Sequence, residues 1–560
     1  MKIIVIGLEA AGAAAATKVR RNSETAQITV YDQSAIVSHI TCGIPYYLGE
    51  EVTELDHLVP RTPQWFKERW NIDVFPRHHV TKIDPKEKQL EIYDEEAGET
   101  ITDTYDKLVI ATGASPFVPP PFNLDSYENV FPVRNMEDAA SIHQYIEDEH
   151  VHQTTIIGSG SIGLEIAEQL TKRGIEVTIV ELAPQLIPKM DTDIAHMIAE
   201  KMKEKGVRVL VGDTVERVEG EQKITGFVTG KGQTGDTDMV IIATGVRPNT
   251  QLAEKAGIAI GSSHAIAVNE KMETSIQDIY AVGDVAESFS LITGKPIYRP
   301  LAATATKMGR IAGDAATGGN LKHQGILGTG IFRVFEMTVG ITGFTEREAE
   351  EEGFDALVVY TIRPDKEGFV GGKDMVIKAV ADKETGRFLG AQIIGEEGVD
   401  KRLDVLATAL YFKAHIQDLQ HLDLSYSMPF STPWDPVHYS GMMLLNAWEK
   451  KQSITPQELI ERQAQKQPMQ IIDVRPKAAY EKSHVETAIN IPMEELREQA
   501  DGLDKDMFTV VYCNRGGRSN AAQHLLANKD FQDVRLLSGG NIRYQEMVVS
   551  EQAKKQVSGK

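Results

Sequence analysis

The chain has only two thiols in 560 residues, Cys42 and Cys513, and each stands where sulfur chemistry is feasible. Cys42 lies in Ser38-His39-Ile40-Thr41-Cys42-Gly43-Ile44-Pro45, and Pro45 suits the first turn of a helix. That helix start would favour an anionic sulfur at Cys42. No other cysteine is near it in sequence, so an internal disulfide cannot close there. The sulfur must cycle through a mixed disulfide, a persulfide or a sulfenic acid. Cys513 opens Cys513-Asn514-Arg515-Gly516-Gly517-Arg518-Ser519, directly after the strand-like run 508–512. A strand, a short Gly/Arg loop and a helix build a cradle of inward-pointing N–H groups. A sulfur on its rim is held as thiolate or terminal persulfide. Asn514, Gly516 and Gly517 shape the loop, and Arg515 and Arg518 add positive charge. A phosphatase loop needs five residues between cysteine and arginine, whereas Cys513 and Arg518 enclose four.

These thiols require positioning elements, and the sequence supplies two nucleotide-type βαβ units. Residues 2–6 form an apolar run typical of a strand buried on both faces. Gly7, Ala10, Ala11 and Gly12 form a turn into an alanine-rich helix reaching about residue 21. Asp32 ends the next strand, 20 residues past Gly12, where a carboxylate accepts from a ribose hydroxyl. Glu9 replaces the middle glycine. The second copy has the full Gly158-x-Gly160-x-x-Gly163, with Glu181 closing its following strand. An acid there favours a free 2′-hydroxyl, while Lys189 nearby could accept a 2′-phosphate. Two further strands end alike, in Ala111-Thr112-Gly113 and Ala243-Thr244-Gly245.

Composition sets limits on the rest. Hydrophobic residues are 41%, charged residues 25%, and the net charge is −22, which argues against nucleic-acid or membrane-surface partners. Two cysteines exclude a disulfide scaffold and a Cys₄ zinc site, no metal site is read, and a reducing, cytoplasmic location is expected. No run of eighteen apolar residues appears. Residues 326–446 carry strand-like stretches (332–339, 375–380, 391–395) and an amphipathic helix near 403–414. A polar stretch at 449–453 reads as a linker. Thr455-Pro456-Gln457-Glu458 reads as a capping box opening a last domain, whose end, 552–560, is expected to fray.

Taken with Gly283-Asp284, these motifs make residues 1–446 resemble the FAD/NAD-linked pyridine nucleotide–disulfide oxidoreductases, and the last domain resembles a single-domain rhodanese. The resemblance implies an α/β chain. It divides into an FAD domain (1–115 and 250–325), an NAD(P) domain (116–249), an α+β dimerisation domain (326–446) and a rhodanese-like α/β domain (453–560). FAD would sit on Gly7, Ala10, Ala11, Gly12, Asp32, Ala111, Thr112 and Gly113, with Gly283 and Asp284 on its ribityl-phosphate arm. NAD(P)H would sit on Gly158, Gly160, Gly163, Glu181 and Gly245. The lone cysteine places the chain beside the branch of NADH oxidases, NADH peroxidases and coenzyme A–disulfide reductases. Oxygen- and peroxide-using members carry a histidine in the first glycine turn, and none is present here. The resemblance to coenzyme A–disulfide reductases assigns Thr17, Lys18, Arg21, Ser38 and Arg61 to coenzyme A. It makes Tyr426 the acid for the leaving thiolate at the partner's cysteine, implies a homodimer through 326–446, and leaves Tyr360 as the nearest second tyrosine. Ser161 stands where relatives carry a tyrosine over the nicotinamide pocket. Asp473 and Arg475 are expected to pair and fix the sulfur loop, with His484 structural.

The expected function is NAD(P)H-dependent reduction of coenzyme A disulfide, persulfide or polysulfide through Cys42, with sulfane sulfur on Cys513. The alternatives are an NADH oxidase or peroxidase using a Cys42 sulfenic acid, and a redox-sensing sulfur-trafficking protein.

Overall fold

The computed structural model describes residues 1–449 and 453–548. Most of the linker and the tail expected to fray therefore lie outside the described residues. The described residues form two compact units, residues 1–188 with 199–328, and residues 189–198 with those from 329 onward.

The first unit contains one architecture twice. Strand Lys2–Ile6 sits centrally in a parallel sheet, between Gln27–Tyr31 and Lys107–Ile110, with Asp73–Phe75 and Ile279–Ala281 at the edges. Its residues Ile3, Ile4 and Val5 are fully buried, as an unbroken apolar run requires. The second sheet places Gln153–Ile157 between Glu176–Glu181 and Met239–Ile242, again all parallel. Each parallel sheet is accompanied by a three-stranded antiparallel sheet, at 78–104 and at 215–236. Helices Ala10–Asn22 and Ser161–Lys172 follow the two glycine turns, within a residue of their expected ends.

The second unit begins with an antiparallel sheet ordered Gly330–Val334, Met337–Gly343, Phe388–Gly395, Asp374–Asp382, Ala356–Pro364. The stretch read as one strand at 332–339 is two, because Phe335 turns with φ of 54°. The amphipathic helix runs Val399–Tyr411, a turn earlier than the pattern suggested. Then comes a five-stranded parallel sheet with Thr509–Tyr512 at its centre. Helix Pro456–Ala464 starts with the expected reciprocal cap between Thr455 and Glu458.

Candidate active sites

The two glycine turns are built alike. Gly7 and Gly158 have φ of 93° and 99°, and a Cβ on either would collide with a carbonyl of the neighbouring strand, Ala111 O at 2.4 Å or Ala243 O at 2.5 Å. Gly12 and Gly163 bring each helix against its own turn, with Cβ positions 1.9 and 2.6 Å from the Gly7 and Gly158 carbonyls. Gly160 differs, because no atom lies within 4 Å of its Cβ position. Neither helix start, at Glu9 or at Gly160, has a side-chain cap, whereas Asn135, Thr345 and Thr455 cap their helices with reciprocal hydrogen bonds. First-turn N–H groups beside an open backbone fit a dinucleotide pyrophosphate.

The two acids also correspond. Asp32 accepts from Leu8 N–H at 2.7 Å and Ser34 N–H at 2.8 Å. Glu181 accepts from Ser159 N–H at 2.8 Å, its hydroxyl at 2.7 Å, and Ala183 N–H at 2.7 Å. Each carboxylate ties its strand end to the residue after the first glycine and keeps acceptor capacity for a ribose hydroxyl. Burial raises the Asp32 carboxyl above the usual range, against the pull of its two backbone donors. Asp284 follows Gly283, whose φ is 76°, and its carboxylate is held by Arg134 at 2.8 Å. Arg134, in the second nucleotide region, was not legible in the sequence. Substituting Gly160→Val fills the open side of the second turn. With NAD(P)H on this turn and FAD on the first, as the resemblance implies, the expected result is a KM for NADH raised about tenfold, equivalent to ~1.4 kcal/mol, with bound FAD retained. Steady-state kinetics and the flavin absorbance ratio check this.

Cys42 is exposed, in a short turn at Thr41–Gly43 that runs into helix Ile44–Leu48, with Pro45 in its first turn. The segment is pinned at both ends. His39 Nδ1 lies 2.5 Å from Glu9 Oε1 in the first glycine turn, and Tyr46 donates its hydroxyl to Glu165 at 2.9 Å. So the turn without a histidine of its own receives one through space, by way of the residue that replaced its middle glycine. Ser38 is buried with φ of 57°, turning the chain just before this anchor.

The expected coenzyme A residues divide. Thr17 returns its hydroxyl to Ala13 O at 2.7 Å, and Lys18 is engaged by Asp314 at 3.0 Å and Asn22 at 2.9 Å. Lys18 is thus an internal ion pair rather than an open phosphate ligand. Arg20, beside them in the sequence, is buried on four backbone carbonyls. Arg21 and Arg61 do face outward, and the structure gathers more around them. Arg21 stacks on Trp70 at 4.6 Å, Arg61 lies over Trp65 at 5.5 Å, and Arg69 lies between the two rings at 5.7 and 6.0 Å. The Arg-x-x-x-Trp-x-x-x-Arg-Trp spacing at 61–70 carried that signal.

In the second unit Cys513 is 5% exposed. Its sulfur accepts from Gly516 N–H at 3.1 Å and faces the Ser519 hydroxyl at 3.5 Å, just before helix Gly517–Ala527. These donors suit an anionic or persulfide sulfur. Arg475 braces the loop as expected. It is paired with Asp473 at 2.6 Å and donates to Asn514 Oδ1 at 2.9 Å. His484 stacks on Tyr480 at 4.1 Å. Arg515 departs from expectation, because Asp374 of the antiparallel sheet holds it at 2.5 Å. Arg518 is exposed. Tyr426 is 53% exposed, beside exposed Met428, Phe430 and Trp434. Tyr360, the nearest second tyrosine, is 3% exposed in a buried ionic seam, and its N–H donates to Ser538 Oγ at 2.9 Å.

Paired dinucleotide folds, an exposed single cysteine tied to the first of them, and a separate sulfur loop define a pyridine-nucleotide flavoenzyme with an appended sulfur carrier. The sequence pattern described as pyridine nucleotide-disulphide oxidoreductase matches residues 1–309, that of its dimerisation domain residues 331–429, and that of a rhodanese-like domain residues 455–546. The chain belongs to the pyridine nucleotide-disulphide oxidoreductases, and its cofactors are FAD and NAD(P)H. It is similar to the reduced CoADR-RHD of Bacillus anthracis, with TM-score 0.95, 34% identity and 98% of each chain covered. It is also similar to an NAD-dependent persulfide reductase from A. fulgidus, with TM-score 0.90, 37% identity, and 97% of this chain and 100% of that one covered. Curated relatives include an NAD(P)H coenzyme A polysulfide/persulfide reductase of Pyrococcus horikoshii, 35% identical over 78% of this chain and 96% of that one. A protein of Methanocaldococcus jannaschii named NADH oxidase is 34% identical over 78% of this chain and 97% of that one. No described helix is long and apolar enough to cross a membrane.

Proposed function

We propose that this enzyme uses NAD(P)H to reduce coenzyme A disulfide, persulfide or polysulfide through Cys42, with Cys513 carrying sulfane sulfur. The observation that carries the reading is Cys42 itself, an exposed sulfur with no second cysteine in its unit, anchored through His39 and Glu9 to the first dinucleotide turn. FAD would be held by the first turn, Asp32 and the Gly283-Asp284 corner, and when bound it supplies the electron pair drawn from the nicotinamide. The Cys42 thiolate attacks one sulfur of the substrate, the S–S bond breaks, and a mixed disulfide with coenzyme A remains. The departing thiolate takes a proton. Tyr426, exposed in the dimerisation domain, is the residue assigned to give it, across a homodimer. For a persulfide the departing species is hydrosulfide. The Glu181 carboxylate, with three donors on it, favours NADH over NADPH.

The Arg21–Trp70 and Arg61–Trp65 surface suits the adenine and phosphates of coenzyme A, through ring faces and guanidinium forks together. Replacing both Arg21 and Trp70 with alanine is expected to raise KM for coenzyme A disulfide about tenfold. The same variant should leave pantethine, which lacks the nucleotide, unaffected. Equal losses for both substrates would reject that assignment.

The reading as a whole is tested by anaerobic turnover of coenzyme A disulfide and persulfide with NADH, together with the intact mass of unreduced protein. Turnover and a coenzyme A adduct on Cys42 support it. Stoichiometric peroxide consumption without either result would transfer the assignment to an NADH peroxidase.

A further inference from the structure

The sulfur loop does not stand alone in its unit, because the antiparallel domain is tied to it at two places. The first tie runs through the rhodanese-like domain's own segment from Ser538 to Arg543. Toward the loop, Asn541 N–H donates to Cys513 O at 2.8 Å, and Gly540 lies so close that a Cβ would sit 2.3 Å from that carbonyl. Away from the loop, Ser538 accepts from Tyr360 N–H of the antiparallel sheet at 2.9 Å, and Arg543 pairs at 2.9 Å with Asp193, which Lys378 of that sheet also holds. The second tie is the end of the hairpin formed by Ala356–Pro364 and Asp374–Asp382. There Pro364 faces Asp374 and Arg363 faces Met375. Asp374 takes Arg515, while the Cβ position of Gly517 lies 3.4 Å from Arg363 Nη2 and 3.7 Å from Nη1. The Arg363 guanidinium lies over the Tyr439 ring, its carbon 3.9 Å from the centroid, and among the described residues no carboxylate lies within ion-pair distance of it.

The consequence is an exchange of charge at the mouth of the sulfur site. Arg515, which the loop sequence offers as its cation, is neutralised by Asp374. Arg363, from a different domain, puts an uncompensated guanidinium at the first residue of the helix that follows Cys513. We propose that Arg363 is a specificity-determining residue of the Cys513 site, which takes small anions, and that the antiparallel domain thereby completes the sulfur carrier's substrate site. The inference rests on Cys513 being the sulfur-bearing residue of the proposed function. The chemical class it selects is an anionic sulfane-sulfur donor such as thiosulfate. The Cys513 thiolate attacks its outer sulfur, the S–S bond breaks, sulfite leaves with the electron pair, and the persulfide remains on Cys513.

The test needs no turnover. In full-length protein carrying Cys42→Ser, Cys513 is the sole thiol. Its alkylation is followed by intact mass with two reagents of similar size, anionic iodoacetate and neutral iodoacetamide. In both, the thiolate forms a C–S bond and iodide leaves. The neutral reagent reports the reactivity of the sulfur, and the ratio of the two rates reports recruitment of the anion. Adding Arg363→Met is expected to lower the iodoacetate-to-iodoacetamide ratio about tenfold. Arg363→Lys should keep most of it, and about 0.5 M salt should remove it from the parent. An unchanged ratio in Arg363→Met overturns the proposal. Failure of both reagents to reach Cys513 overturns it too, since a site closed to small anions recruits none. A merely structural role would slow both reagents together and leave the ratio intact. Whether Cys513 carries sulfur at all is read separately, as a mass gain of one sulfur after polysulfide treatment of the same protein. Loss of that gain with the ratio effect intact would reject the proposed function and not the anion site.

Discussion

Replacing Cys42 with serine is expected to lower reduction of coenzyme A disulfide by NADH at least about a thousandfold while leaving FAD bound. The magnitude follows from the electron balance. Breaking an S–S bond takes two electrons, and the covalent route places them one bond away from the substrate sulfur, on a partner that has already displaced the first thiolate. A serine oxygen is neither ionised near neutral pH nor able to form the mixed disulfide, so the route is removed rather than weakened. Cys513 cannot substitute, because it belongs to the sulfur loop between Thr509–Tyr512 and Gly517–Ala527 and not to the segment tied to the first dinucleotide turn. Retained flavin is expected because the glycine turn, Asp32 and the Arg134–Asp284 pair make no use of the Cys42 sulfur. The measurement is anaerobic kinetics beside the flavin spectrum of the same preparation. Residual turnover above a few per cent of wild type would show that reduction passes directly to the substrate and would end the covalent mechanism.

Why some of this was readable and some was not has a physical basis. The nucleotide turns were legible because backbone demands fall on contiguous residues. A left-handed residue at Gly7 or Gly158 and a close approach at Gly12 or Gly163 leave a local record in the sequence. Asp32 and Glu181 were legible because one strand length separates them from the turn. The Thr455 capping box and the Asp473–Arg475 pair are equally local. The failures involve partners brought together by folding. Lys18 and Arg21 have the same helical exposure in a periodicity argument, yet Asp314, almost three hundred residues on, takes Lys18 and leaves Arg21 outside. The loop sequence offers Arg515 and Arg518 alike, and only the position of Asp374 separates them. Glu9 looked like a defect in a fingerprint until His39 was found against it. One long-range feature did leave a trace. Lys378 interrupts the apolar run of Asp374–Asp382, and a cation in the middle of a fully buried strand requires buried acids.

Those acids set the other large expectation, a loss of about 3–5 kcal/mol on replacing Arg543 with methionine. Lys378, 2% exposed, is ringed by Asp191 at 2.9 Å, Asp193 at 3.0 Å and Glu346 at 2.7 Å, and Arg543 reaches the same Asp193 at 2.9 Å. Burial alone would raise the Asp193 carboxyl. Lys378 and Arg543 outweigh it and hold Asp193 down at about 2. Acids outnumber bases in this cluster, and burial accordingly raises Glu346 despite its contact with Lys378. Removing Arg543 leaves a buried carboxylate with half its compensation, which is the costly way to break such a pair. The sign of the pH dependence follows from the depressed Asp193. The unfolded chain binds its proton first, near 3.8, so the stabilisation is complete above that value and disappears as pH falls toward 2. Its size is about 2 kcal/mol for a shift of that extent. Glu346 acts in the opposite sense, its raised carboxyl easing the cluster as acid is added, and it does so in wild type and variant alike. Denaturant unfolding of the full chain should therefore show the largest gap between wild type and Arg543→Met above about pH 4, narrowing by no more than about 2 kcal/mol as pH falls toward 2. Because Arg543 lies on the segment that also holds the Cys513 carbonyl, the variant should slow Cys513 alkylation by neutral and anionic reagents equally. A gap that is small and independent of pH would mean that the seam is held by packing around Tyr360, with the charges contributing nothing net.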